Sequence, residues 1–175
     1  MYYEIYQIKI NKEVRDYVNS NDRGHTGGEE KFPIYEAYMR NCMSSRKESF
    51  QPEDFAHYTK VCKVTENAGL VQGEDEYLVN NLEEVFKVLN GYYYDEETAE
   101  DVVFDSHVDD YKMKTITRDD GEVVTFRDMH SLSVGDIVAE NTIQGTRYHQ
   151  VAGMGYVEVF PADSTLLYKD IKQAS

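Results

Sequence analysis

Basic residues are scarce in this chain. Its 18 Lys and Arg face 33 Asp and Glu, which leaves a formal charge of −15 at pH 7. DNA, RNA and anionic lipid bind proteins largely through phosphates neutralised by Lys and Arg, so strong direct binding to any of them is excluded as an expectation. A basic protein, or a basic groove in one, is the easier partner. Cysteine is nearly absent. Cys42 and Cys62 form no C-x-x-C pair and fall in segments that read as helical, so two free thiols in a reducing cytosol are the simple reading, with a disulfide left open. No stretch approaches the length that spans a bilayer, and the N-terminal MYYEIYQIKI alternates rather than placing a positive head before an apolar run. A cytoplasmic protein without membrane contact is expected. Catalytic signatures are missing as well: no H-E-x-x-H, G-x-S-x-G, Walker loop or deaminase pattern occurs.

What remains is a chain built to fold. Hydrophobic residues make up 41% and there are 15 tyrosines, too much buriable surface for a disordered protein. At 175 residues a single domain, 1–175, needs no disulfide or metal staple. Tyr2 to Ile10 alternates and predicts an opening strand. Asn19 to Glu30 is polar and turn-rich and predicts a loop; its Gly24, Gly27 and Gly28 lack the Lys-Ser or Lys-Thr of a phosphate cradle. Pro33 opens a helix through Cys42 with Ile34, Tyr38 and Cys42 on one face. Pro52 starts another, with Phe55, Tyr58, Cys62 and Thr65 three or four apart and Asn67-Ala68-Gly69 as its stop. Asn81 caps a helix whose apolar face is Leu82, Val85, Phe86 and Leu89, with Glu83 and Glu84 in the favourable first turn.

Beyond residue 110 the period becomes that of strands. Tyr111–Thr117 and Glu122–Arg127 flank Asp119-Asp120-Gly121 as a hairpin, Asp136–Ala139 is a β-like core, and Tyr148–Phe160 gives a strand pair or one bent strand. A short helix is expected after Pro161. The order predicts an α+β fold, a mostly antiparallel sheet from both chain ends packed against two or three central helices. An acidic insertion and hairpin occupy about 91–128.

The phrases YYEIYQIK, LEEVFKVLN, HSLSVGDIVAEN and GMGYVEV stand in that order along the chain. In kind and order they resemble segments of the YodL-like domain found in proteins of phages, plasmids and other bacterial mobile elements. The matching positions are Ile5-Tyr6-Gln7, Leu82 to Asn90, Ser131 to Val138 and Gly155-Tyr156. The acidic segment and hairpin intervene between Asn90 and His130, where the family pattern passes more directly. The resemblance brings no catalytic residues; it implies a mobile-element setting, in which small acidic proteins that disarm bacterial restriction or CRISPR enzymes are common.

The insertion holds the candidate site. Between Tyr92 and Asp110 lie Asp95, Glu96, Glu97, Glu100, Asp101, Asp105, Asp109 and Asp110, without one Lys or Arg. A helix over 96–103 would set Glu96, Glu97, Glu100 and Asp101 on one ridge. Like charges so spaced destabilise an isolated helix, and a basic groove relieves the repulsion. Tyr92, Tyr93 and Tyr94 cannot all face inward on a regular backbone, and exposed tyrosines are common interface anchors. These eleven residues form the expected partner-binding surface, an imitation of nucleic-acid phosphates offered to a basic nucleic-acid-binding enzyme. A CRISPR nuclease is favoured because its guide and target channel is long and positive. An antirestriction protein, or a structural or regulatory domain, is the alternative.

Catalysis and cofactors are not expected. Asp105, His107 and Asp109 would share one face of a strand and suit Mn²⁺ or Fe²⁺, yet acidic chains produce such spacings by chance. The acidic run lacks the glycine and closing glutamate of an EF-hand. His57 and Cys62 are awkwardly placed as a thiol–imidazole pair on one helix, and core packing is the better reading for Cys62. His130 and His149 read as turn and strand residues.

Overall fold

The computed structural model describes residues 1–43, 50–65, 67–70, 76–90, 108–109, 113–118 and 121–162. In chain order the elements are β1 (Tyr2–Ile8), α1 (Lys12–Ser20), α2 (Gly24–Lys31), α3 (Pro33–Cys42), a 3-10 helix (Pro52–His57), β2 (Tyr58–Thr65), β3 (Asn67–Leu70), β4 (Glu76–Leu78), α4 (Leu82–Asn90), β5 (Val108–Asp109), β6 (Met113–Thr117), β7 (Val123–Arg127), β8 (Ile137–Thr142), β9 (Gly145–Val151) and β10 (Tyr156–Val159). The fold is α+β. A six-stranded sheet runs β10-β9-β8-β1-β2-β5, and β3-β4 and β6-β7 are separate two-stranded sheets. The pairs β9–β10, β2–β5, β3–β4 and β6–β7 are antiparallel.

The opening strand lies in the middle of the large sheet, hydrogen-bonded to strands from both halves of the chain. Its alternation places Tyr3, Ile5 and Gln7 in fully buried positions. The chain also divides into two compact units. The first comprises Met1–Tyr6, Lys60–Leu132 and Val138–Thr146; the second comprises Gln7–Thr59, Ser133–Ile137 and Arg147–Ser175.

In the first unit the buried apolar set includes Tyr3, Ile5, Val61, Cys62, Val64, Val85, Leu89, Leu132 and Val138. The capping expected at Asn81 is present, since Glu84 N–H donates to Asn81 Oδ1 at 2.9 Å, and α4 buries Val85, Val88 and Leu89. The expected hairpin is β6–β7. Gly121 takes φ +86 at the turn, a left-handed conformation that favours glycine, and its N–H donates to Arg118 O at 2.9 Å.

The second unit has a cluster of Val14, Val18, Tyr35 and Met39, with Ile10, Phe32, Ile34 and Tyr38 packed on it. Helix α3 therefore forms as Pro33 predicts, but its buried face is Tyr35, Ala37, Met39 and Asn41, and the expected face of Ile34, Tyr38 and Cys42 is only half-buried beside it. Helix α1 has no counterpart in the sequence reading. Asn11 caps it, Oδ1 accepting from Val14 N–H at 3.0 Å, and Val14 and Val18 lie one turn apart on its buried face.

Two expectations are corrected. The loop predicted over Asn19 to Glu30 contains α2, and two of its glycines, Gly27 and Gly28, serve close packing. A Cβ on Gly28 would stand 2.5 Å from Val18 Cγ2 and 2.9 Å from Tyr35 Cδ1, so only glycine lets the helices approach. The long helix predicted from Pro52 through Thr65 ends at His57 and continues as β2, while Asn67-Ala68-Gly69 begins β3 instead of stopping a helix. Tyr58-Thr-Lys-Val-Cys-Lys-Val-Thr is rich in β-branched residues, which suit a pleated surface, and its hydrogen bonding to β1 on one side and β5 on the other decides the matter. Cys62 is accordingly a strand residue. The helix expected after Pro161 falls on residues outside those described.

Candidate functional site

Charge is divided unequally between the two units. The first contains 20 acidic and 7 basic residues, a net −13; the second contains 13 acidic and 11 basic, a net −2. Several cations of the first unit are already engaged within it. Lys60 Nζ meets Glu4 Oε1 at 3.2 Å, Lys87 Nζ meets Glu84 Oε1 at 3.0 Å, and Arg118 Nη1 meets Glu122 Oε2 at 2.6 Å. Lys63 Nζ lies 4.4 Å over the Tyr2 ring. With 20 carboxylates to 7 cations, the acidic excess of this unit is larger than its own Lys and Arg can neutralise.

The predicted surface accounts for much of that excess. Tyr92, Tyr93, Tyr94, Asp95, Glu96, Glu97, Glu100, Asp101, Asp105 and Asp110 lie outside the described residues, as do the expected helix over 96–103 and His107. Asp109 belongs to β5, at the register position opposite Lys63 of β2. The acidic stretch is thus attached at both ends to elements of one unit. On its N-terminal side, α4 ends at Asn90, whose Nδ2 donates to Leu132 O at 3.1 Å. On its C-terminal side, β5 is the last strand of the sheet order, next to β2.

The thiols are poorly suited to nucleophilic chemistry. Both are free. Burial pushes Cys42 and Cys62 up to about 12, although Arg127 and Lys60 pull Cys62 the other way. His57 closes the 3-10 helix and Cys62 sits inside β2, so they do not share a helix. Among the described residues, no three His, Cys, Asp or Glu side chains are grouped to hold a metal. No helix among them is long and apolar enough to cross a membrane.

Sequence reading missed a buried polar network in the second unit. Asp54 Oδ2 accepts from Asn41 Nδ2 at 2.9 Å and from Gln51 N–H at 3.0 Å, while Oδ1 meets Arg40 Nη1 at 3.2 Å. Asn41 Oδ1 accepts from Gln150 Nε2 at 2.8 Å. Asp136 Oδ2 accepts from Gln7 Nε2 at 3.0 Å and Ser133 N–H at 2.9 Å, closing the turn of the S-L-S-V-G-D phrase. Leu132, which precedes that turn, is buried, and Val134 within it is half-buried. The Tyr58 hydroxyl donates to Gly135 O at 2.6 Å, and burial pushes it above its ordinary pKa. Each of these groups is matched by a neighbour of its own unit, which is the pattern of a specified scaffold.

A groove of about 320 Å³ lies in the same unit, lined by Phe50, Pro52, Gln150, Val157, Val159 and Phe160. Its Gln150 amide is engaged by Asn41. Glu158, also on the groove, is bonded to Arg147, which holds its carboxyl below the usual range. Neither group is poised as an acid or base. No family model, curated protein or solved structure matches the chain, so the YodL-like resemblance rests on its own motifs.

Proposed function

We propose that the protein inhibits a host nucleic-acid-handling defence enzyme, a CRISPR nuclease, by presenting carboxylates in place of nucleic-acid phosphates. The observation that carries this reading is the separation of charge, −13 on one unit against −2 on the other. A charge spread for solubility alone has no reason to concentrate in this way. The YodL-like motifs support a mobile-element setting, and two free thiols suit action in the reducing cytosol of a bacterial host. Tyr92, Tyr93 and Tyr94 supply aromatic contact beside Asp95, Glu96, Glu97, Glu100, Asp101, Asp105, Asp109 and Asp110. Carboxylates accelerate encounter with a cationic channel and fix orientation, and aromatic contact slows departure.

The test is cleavage of target DNA by purified RNA-guided nucleases in the presence of increasing protein at low salt. Inhibition at near-equal concentration is expected, weakened by added salt and at least tenfold weaker for the variant with Asp95, Glu96, Glu97, Glu100 and Asp101 changed to Asn or Gln. Full cleavage under excess protein across such a panel removes this target. Inhibition of restriction enzymes instead would move the same surface to an antirestriction role.

A further inference from the structure

The ribbon β6–β7 is a two-stranded sheet of its own, not hydrogen-bonded into the six-stranded sheet. Its register pairs Met113 with Arg127, Thr115 with Thr125 and Thr117 with Val123, and strand alternation puts Ile116, paired with Val124, on the face opposite Met113 and Val123. All five residues of β6 are exposed. Met113 is 52% exposed, Ile116 40% and Val123 64%, so apolar side chains are accessible on both faces of the ribbon. A two-stranded ribbon is marginal by itself in water, and leaving apolar groups on both faces solvated adds nothing to its stability.

Its electrostatic setting selects the occupant. Residues 113–127 carry Lys114, Arg118 and Arg127 against Asp119, Asp120 and Glu122, so the ribbon is neutral within a unit of net −13. Asp109 and Met113 are four residues apart, a reach of at most about 14 Å. The acidic stretch therefore ends within about a Debye length or two of the apolar surface. A second copy meeting this ribbon symmetrically would bring two strongly negative units together. Nucleic acid, whose major groove admits a two-stranded ribbon, is repelled by the same charge.

We propose that the β6–β7 ribbon is the apolar anchor of the complex, inserting Met113, Ile116 and Val123 into a cleft with a basic rim on the partner protein. This rests on the acidic-mimic reading and adds to it the element that holds the complex together. Charge sets the encounter rate, and the ribbon sets the lifetime.

The test uses the full chain and the purified RNA-guided nuclease as probe, with binding followed as separate on- and off-rates across a salt series. Met113→Thr, Ile116→Thr and Val123→Thr together keep strand-forming side chains and the charge unchanged. The expected result is an off-rate at least tenfold faster with the on-rate and salt slope preserved, while M113L binds as wild type. Far-ultraviolet circular dichroism and the melting temperature must match wild type; a misfolded triple variant is replaced by the single Val123→Thr, for which a smaller off-rate increase of the same kind is expected. Binding unchanged by the triple variant overturns the ribbon's role and leaves the acidic-mimic reading standing. Absence of wild-type binding overturns that reading and the anchor with it. A wild-type dimer in light scattering that the triple variant turns into a monomer would assign the ribbon to self-association and also overturn the proposal.

Discussion

The two units solve different physical problems. The second, with 13 acidic and 11 basic residues, invests its polar groups in one another: Arg40, Asn41, Asp54 and Gln150 form a connected set, and Gln7, Ser133 and Asp136 form another. The first, with 20 acidic and 7 basic residues, uses several of its cations in local pairs and retains a large excess of one sign. The contrast teaches that an acidic protein need not distribute its self-repulsion evenly. A nearly neutral, internally bonded unit tolerates buried charge, while a unit carrying a surplus is most comfortable opposite a cationic surface.

The sharpest way to break the second unit is Gly135→Ala. Gly135 has φ +92, and an added Cβ would stand 2.6 Å from Asn41 O and 2.7 Å from Cys42 Sγ. Left-handed strain and overpacking together should cost about 4 kcal/mol, measured by urea unfolding. Asp54→Ala comes next. It strips the buried one of Arg40's two carboxylate partners, leaving Glu36, and removes an acceptor from Asn41, and a loss of about 3 kcal/mol is expected in the same assay.

Alkaline pH tests both units at once, because Cys42 belongs to the second and Cys62 to the first. Burial raises both folded thiols from 9 to about 12, so the fold favours the neutral form. Their contribution is whole below about pH 9 and is lost as pH rises towards 12. At pH 10 the two together should lose about 3 kcal/mol. Thermal melts should fall less steeply over this window in the C42A/C62A variant; equal slopes would place the thiols in a wetter environment. The smallest effect should come from salt. Raising NaCl from low to half-molar should stabilise the protein by about 0.5 kcal/mol through screening of the first unit, and the gain should shrink when the five carboxylates from Asp95 to Asp101 are neutralised.

Legibility followed the range of the interactions. Helix α4 announced itself through Asn81 and a contiguous apolar face, α3 through Pro33, and the β6–β7 ribbon through Asp119-Asp120-Gly121. Helix α1 was also legible in principle, since Asn11 precedes Val14 and Val18 by helical intervals. Its signal is diluted by the charged residues between them. Helix α2 was hidden because Gly27 and Gly28 read as turn residues until Asn21 is seen against the first, and Val18 and Tyr35 against the second. At Tyr58–Thr65, spacings of three and four fitted a helix while the β-branched content fitted a strand, and short apolar runs leave that choice to neighbours. Of the candidate surface, the charge and the tyrosines were legible as composition, and Asp109 is the one member that falls on a described element. The exposed apolar ribbon was visible as a hairpin but not as an accessible surface, because exposure depends on what packs elsewhere.

By itself the sequence determined the net charge of −15, the concentration of carboxylates between Tyr92 and Asp110, and the caps and turns that bound individual elements. These are properties of contiguous residues, set by local sterics and by the sign of side chains. Only the tertiary structure decided that the opening strand lies between two others and that residues 58–65 are a strand. Those outcomes depend on partners far apart in the chain: Gln7 with Asp136, Tyr58 with Gly135, and Asn41 with Gln150. Burial makes such bonds obligatory, and no local pattern records which distant residue will satisfy them.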